Sequence, residues 1–170
     1  DISPVMGKNI QGATWHGYWA HAYYPTTPTT YKLNPIVCGW DASTMTWSTR
    51  ACVDDTVPVY GSAVRDAWSA SDVTGIIAAA AGGSRPWYGL EVDTNGEGTG
   101  SWKKLAAAEN GAGGASYIDI WYNTTPTVPG IAWPSPADGG AYNQENFTLH
   151  AYVADADGDP LYATFYVGLT

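Results

Sequence analysis

Three histidines, two cysteines and a scattering of carboxylates are the residues of this 170-residue chain whose types can do chemistry. His16 and His21 stand on one aromatic run with opposite parity. Strict alternation along a strand sends them to opposite faces, which argues against a shared metal. His150 is remote in sequence. No Gly-x-Ser-x-Gly turn exists to expose a nucleophilic serine. Asp54, Asp55, Glu91, Asp93 and Glu97 are of the kind that supplies paired carboxylates for glycoside hydrolysis, but no spacing selects two of them. The glycine-rich stretch 96–100 lacks the strand and helix context of a phosphate loop and reads as a hairpin turn. The expectation is a chain that is not an enzyme and has no catalytic residues.

Binding chemistry has more to draw on. Cys38 and Cys52 enclose a loop short enough to close, and a disulfide there contributes roughly 3 kcal/mol on the loop-entropy argument. The alternative is two buried thiols in a reducing compartment. Neither cysteine belongs to a second Cys or His cluster, so zinc is not expected. Asp155, Asp157 and Asp159 place three carboxylates at alternate positions of an acidic turn, the arrangement a hard cation such as calcium uses. The EF-hand version fails, because its sixth and twelfth positions fall on Pro160 and Tyr166. The competing reading is a hydrated turn between two strands. Asn123 and Asn146 each open an Asn-x-Thr glycosylation pattern. Aromatic residues beside turns can stack on sugar C–H faces while Asp, Asn and Glu take the hydroxyls. Trp40, Trp87, Tyr88 and Trp102 are the candidates for a polysaccharide platform, set against the reading that most of the nine Trp fill a core.

The composition excludes other partners. Seven Lys and Arg face sixteen Asp and Glu, a formal net charge of −9. Neutralising phosphates needs clustered cations, and Lys103-Lys104 is the only basic pair. Nucleic acid and an anionic membrane surface are therefore not expected. No apolar run approaches the length of a membrane span. Low charge with abundant Thr, Ser, Gly, Tyr and Trp points to an extracellular or cell-surface protein.

The elements that must position these residues read as strands. The run 9–24 carries aromatics on both faces, which suits burial between two layers. Further strands are expected over 30–37, 57–60, 87–92, 117–122, 147–153 and 161–167, separated by turn signals at 54–55, 82–83, 95–100 and 110–114. Asp72-Val73-Thr74 opens one short helix over the alanine run, and Gly82-Gly83 stops it. The stretch 103–110 fits either a second short helix or a strand end with a bulge. These counts give an all-β chain with one short helix. A first sandwich over 1–125, a Pro-rich linker over 126–136 and a partial domain over 137–170 follow, both ends reading as cut.

The order of motifs carries a resemblance. Ile-x-Gly-Ala-Thr-Trp at 10–15, Tyr-x-Leu at 31–33, Gly-Trp-Asp-Ala-Ser-Thr-Met-Thr-Trp at 39–47, Asp-Val-Thr-Gly-Ile-Ile at 72–77, Trp-Tyr-Gly-Leu-Glu-Val at 87–92, Trp-Lys-Lys-Leu-Ala at 102–106 and Tyr-Ile-Asp-Ile-Trp-Tyr-Asn-Thr-Thr-Pro at 117–126 together resemble the DNRLRE domain, itself similar to family-ninety-six carbohydrate-binding modules. The resemblance implies a jelly-roll-like sandwich in secreted bacterial proteins, often beside immunoglobulin-like modules or RHS-repeat polymorphic toxins. The stretch 133–167 resembles the opening strands of a bacterial immunoglobulin-like or fibronectin-like domain. The expected function is a non-catalytic structural or adhesive surface module, with polysaccharide or neighbouring domains as partners. Its alternative is a filament subunit joined to copies of itself by strand exchange.

Overall fold

The longest element, β1 (Asn9–Ala22), alternates half-exposed and buried residues along most of its length, with Ala13, Trp15, Gly17 and Trp19 turned inward. The computed structural model describes residues 1–94, 102–107, 114–131 and 148–166, with only the backbone of Trp47 and Ile131. The chain divides into two units, Asp1–Tyr122 and Asn123–Thr170.

The first unit is an all-β sandwich with one short helix, as expected. One sheet, A, is antiparallel about β1: β4 (Ala67–Asp72) pairs along one edge, while β6 (Lys103–Leu105) and β7 (Tyr117–Asn123) share the other. The second sheet, B, has the order β3-β2-β5, from Val59–Ala63, Thr29–Pro35 and Leu90–Thr94. Strand β4, made of Ala, Ser and Asp around one Trp, lacks the β-branched signal and was not expected. Stretch 103–110, open in sequence, begins as strand β6.

Aromatic rings join the sheets. Tyr31 of sheet B lies between Trp15 and Trp19 of sheet A, with ring centroids 5.4 and 5.3 Å away. Its hydroxyl shares a 2.7 Å hydrogen bond with Ser71 Oγ on β4. Two glycines make room for these rings. A Cβ at Gly17 would collide with the Trp15 indole, and one at Gly61 with the Tyr31 ring, so close approach rather than turn geometry requires glycine at both.

Helix α1 (Thr74–Ala81) buries Ile76, Ile77, Ala80 and Ala81 against this core. The expected capping residues act, although Val73 occupies the N-cap. Asp72 Oδ1 accepts the Thr74 N–H at 2.9 Å, and Thr74 Oγ1 accepts the Ala13 N–H at 2.8 Å, which ties the helix to β1. Gly83, at φ +73°, turns the chain out of the helix. The hydrogen bonds from the Thr74 side chain and backbone hold the Asp72 carboxyl below its ordinary value of 3.8. A depressed folded-state pKa gives stability that is complete above the ordinary value and is lost as pH falls through the folded one. Thermal unfolding midpoints should therefore fall below pH ~4. They should fall less steeply in Asp72→Asn, whose amide oxygen still accepts from Thr74; parallel pH profiles for the two proteins would disprove the coupling.

In the second unit, β8 (Gly130–Ile131) pairs with β9 (Ala151–Tyr152), and Thr127 N–H donates to Ala154 O at 3.0 Å. The span expected to be bare linker is thus partly paired. The strand expected over 161–167 is irregular in its described residues, 161–166.

Candidate functional site

The outer face of sheet A collects side chains that sandwich strands seldom leave wet. Pairing of β1 with β4 sets Thr14 opposite Asp72, His16 opposite Ala70 and Tyr18 opposite Trp68. Strand β7 turns Ile118 and Ile120 to the core and exposes Tyr117, Asp119 and Trp121. The His16 ring stacks on Tyr117 with centroids 4.6 Å apart and an 11° interplanar angle. Trp68 lies 5.6 Å from Tyr117 and 5.5 Å from Tyr18. The small Ala70 side chain opposite His16 leaves that side of the face open. Trp68, Tyr117 and Trp121 keep 45, 47 and 56% of their surface exposed, so the row is an open platform rather than core.

A β-bulge extends the platform and overturns the parity argument for the histidines. Trp19 pairs with Leu105 but His21 pairs with Lys104, so Ala20 is an extra residue. Past it the alternation flips: Ala22 is buried and His21 turns outward, onto the face that carries His16. His21 meets Trp102 edge-on at 5.2 Å, and Lys104 stands opposite it. At about 3.3 Å per strand residue, His16 and His21 remain roughly 13–16 Å apart. They share a face without sharing a proton-transfer centre. His16 Nε2 is 3.3 Å from Asp119 Oδ2, a contact that fixes the plane of the imidazole against Tyr117.

The four aromatics expected to form one platform are separated. Trp102 lies on this face and is 51% exposed. Trp40 and Tyr88 are exposed beside the Cys38–Cys52 loop, where Trp40 Nε1 donates to Tyr88 O at 2.8 Å. Trp87 packs against the core. The stacking residues Tyr18, Trp68, Tyr117 and Trp121 were missed by sequence reasoning. The signal for two of them was the alternation of Tyr117 and Trp121 with Ile118 and Ile120; Trp68 sits in the strand that carried no signal.

Cys38 and Cys52 form a disulfide. Of the carboxylates, Glu91 engages Asn34 and Arg50, Asp93 and Asp55 approach Lys32, and Asp54 pairs with Arg85 at 2.9 Å. Glu97 lies outside the described residues. In the acidic turn Asp155 Oδ1 accepts the N–H groups of Asp157 and Asp159, at 2.8 and 3.2 Å. Asp157 accepts from Thr124, and Asp159 from the Asn123 amide at 3.0 Å. Among the described residues no group of three His, Cys, Asp or Glu side chains is placed to hold a metal ion, so the calcium arrangement is not formed there. These carboxylates instead accept hydrogen bonds that tie the turn to 123–124. The Asn123 amide is taken up by Asp159, and Asn146 lies outside the described residues. No helix among the described residues is long and apolar enough to cross a membrane.

No family model matches the chain, and no solved structure matches it. Curated proteins do. The chain is 30% identical over 135 residues to the "tRNA nuclease WapA" of Bacillus subtilis strain 168, an alignment covering 75% of the chain and 6% of that protein. It is 30% identical over 138 residues to the "tRNA3(Ser)-specific nuclease WapA" of Bacillus spizizenii, covering 79% of the chain and 5% of that protein. The chain thus spans about one-twentieth of the length of these relatives. Their names overturn the expected non-enzymatic adhesive or structural module, the filament alternative, the polysaccharide partner and the exclusion of nucleic acid, because relatives 30% identical over three-quarters of the chain are named as nucleases of tRNA. The physical weakness of that exclusion was to sum charge over the whole chain. Net charge speaks to phosphate contacts and is silent on base stacking.

Proposed function

We propose that this chain is a segment of an exported nuclease that acts on tRNA, and that the outer face of sheet A is a surface on which unpaired nucleotides rest. The observation that carries the reading is the alignment with tRNA nucleases over three-quarters of the chain. The exposed aromatic row supports it. Every base has a π-face, so Trp68, Tyr117, Tyr18 and Trp102 can stack bases without reading their identity. The Cys38–Cys52 disulfide supports export, since such bonds persist in oxidising compartments. The motif order that resembles the DNRLRE domain supports the same placement through its association with RHS-repeat polymorphic toxins.

The test is cleavage of purified total tRNA by the protein that contains this chain, with and without residues 1–122. The intact protein is expected to cut tRNA, and excision of the sandwich to slow the cutting. An intact protein that leaves tRNA whole under conditions where it is folded would refute the assignment.

A further inference from the structure

The disulfide closes a segment that the sandwich core does not need. Residues 35–38 and 52–54 run antiparallel, joined by Val37 N–H to Cys52 O and Asp54 N–H to Pro35 O, each 3.0 Å, and by a bridge between Ile36 and Val53. Between them, 39–50 is exposed wherever its side chains are described, Ala51 is half-buried, and the segment contributes nothing to the buried core cluster. Its local order comes from Asp41, which accepts from Ser43, and from the mutual capping of Thr46 and Thr49. Its contacts to sheet B and the chain leading into β5 include Trp40 Nε1 to Tyr88 O and Arg50 to Glu91 at 3.4 Å. Beneath Arg50, Glu91 accepts from the amide of Asn34, a fully buried residue whose Oδ1 has no hydrogen-bond partner. Burying such an acceptor is unfavourable, so Glu91, which joins Asn34 to Arg50, sits at a locally weak point of sheet B.

We infer that Cys38–Cys52 is a redox-sensitive clasp, which holds 39–51 against Tyr88 and Glu91 while oxidised and releases that segment on reduction by thiols, leaving the sandwich folded. The geometry favours the exchange. Cys52 is exposed and open to attack by an external thiolate, while the Cys38 sulfur accepts the Cys52 N–H at 3.0 Å, a donor that stabilises it as the leaving thiolate. A first thiol forms a mixed disulfide with Cys52 and expels Cys38; a second resolves it. Two electrons and two protons pass from the two thiols, which leave joined as their own disulfide. Released from its closed ends, the segment gains chain entropy, and Arg50 no longer has to stay on Glu91. The physiological consequence rests on the proposed function: tRNA lies inside cells, where thiols are kept reduced, so the clasp would open on arrival at the substrate.

Trypsin digestion of the oxidised and thiol-treated chain, followed by mass mapping, tests this without RNA. Cleavage after Arg50 is expected on the order of 10²-fold faster in the reduced chain. Cys38→Ser/Cys52→Ser should match it without reductant, and amides in β1, β2 and α1 should exchange no faster than in the oxidised protein. Equal cleavage rates in both redox states would overturn the inference. So would loss of amide protection throughout the sandwich on reduction, which would make the bond a staple of the whole fold.

Discussion

Trp19→Ala is expected to destabilise the first unit by about 3–5 kcal/mol, the range for deleting a large aromatic from a packed core. The Trp19 side chain is fully buried and meets Tyr31 at 5.3 Å, so its removal takes a wall from the ring that links the sheets. Its Nε1 also donates to Ser69 Oγ at 2.9 Å, and Ser69 Oγ donates to Ser62 O at 2.6 Å, a relay from β1 through β4 to β3. Without the indole, Ser69 loses a donor and the cavity lies between sheets that cannot easily collapse on it. For a unit of this size the melting temperature should fall by roughly 10–25 °C. Trp19→Phe keeps the ring contact and loses the relay, and should cost only about 1–2 kcal/mol. Denaturant titration of the three proteins measures both steps. A loss under about 1 kcal/mol for Trp19→Ala would show that Tyr31 holds the sheets together without it.

The fold was legible where side-chain chemistry and backbone period agree. The aromatic alternation of β1, the Ala-rich helix between Asp72 and Gly82, and the alternation of Tyr31 and Leu33 in β2 and of Leu90 and Val92 in β5 with polar residues are local signals of that kind. Strand β4 was not legible, because Ala, Ser and Asp have no strand preference; it is held by pairing with β1 and by Ser69 and Ser71 reaching Trp19 and Tyr31. The site was less legible than the fold. Parity places a residue on a face only while the ladder is regular, and one extra residue at Ala20 moved His21 to the side parity denied it. No glycine marks that bulge, and the register of β6 that defines it comes from a strand more than eighty residues away. Trp102 was chosen for its position beside a turn, yet its partner is that displaced histidine.

The stacking face makes a second large prediction, in which charge and aromaticity are separable. Tryptophan fluorescence titration with an unstructured single-stranded RNA oligonucleotide should show quenching. Trp68→Ala and Tyr117→Ala should each weaken binding on the order of 5- to 150-fold, the equivalent of the ~1–3 kcal/mol per stacked base. A duplex of the same sequence should bind poorly, because its bases are already stacked on each other. Salt supplies the second readout. Lys104 stands beside Trp102 and His21, while the carboxylates of Asp72 and Asp119 on the same face repel phosphates. With one or two phosphates neutralised, log K should fall against log salt with a slope of only about −0.7 to −1.4. Unchanged affinity in both alanine variants would remove the aromatic row from RNA binding. A steep slope at neutral pH would show that the contact lies on some other, more basic surface of the protein that carries this chain.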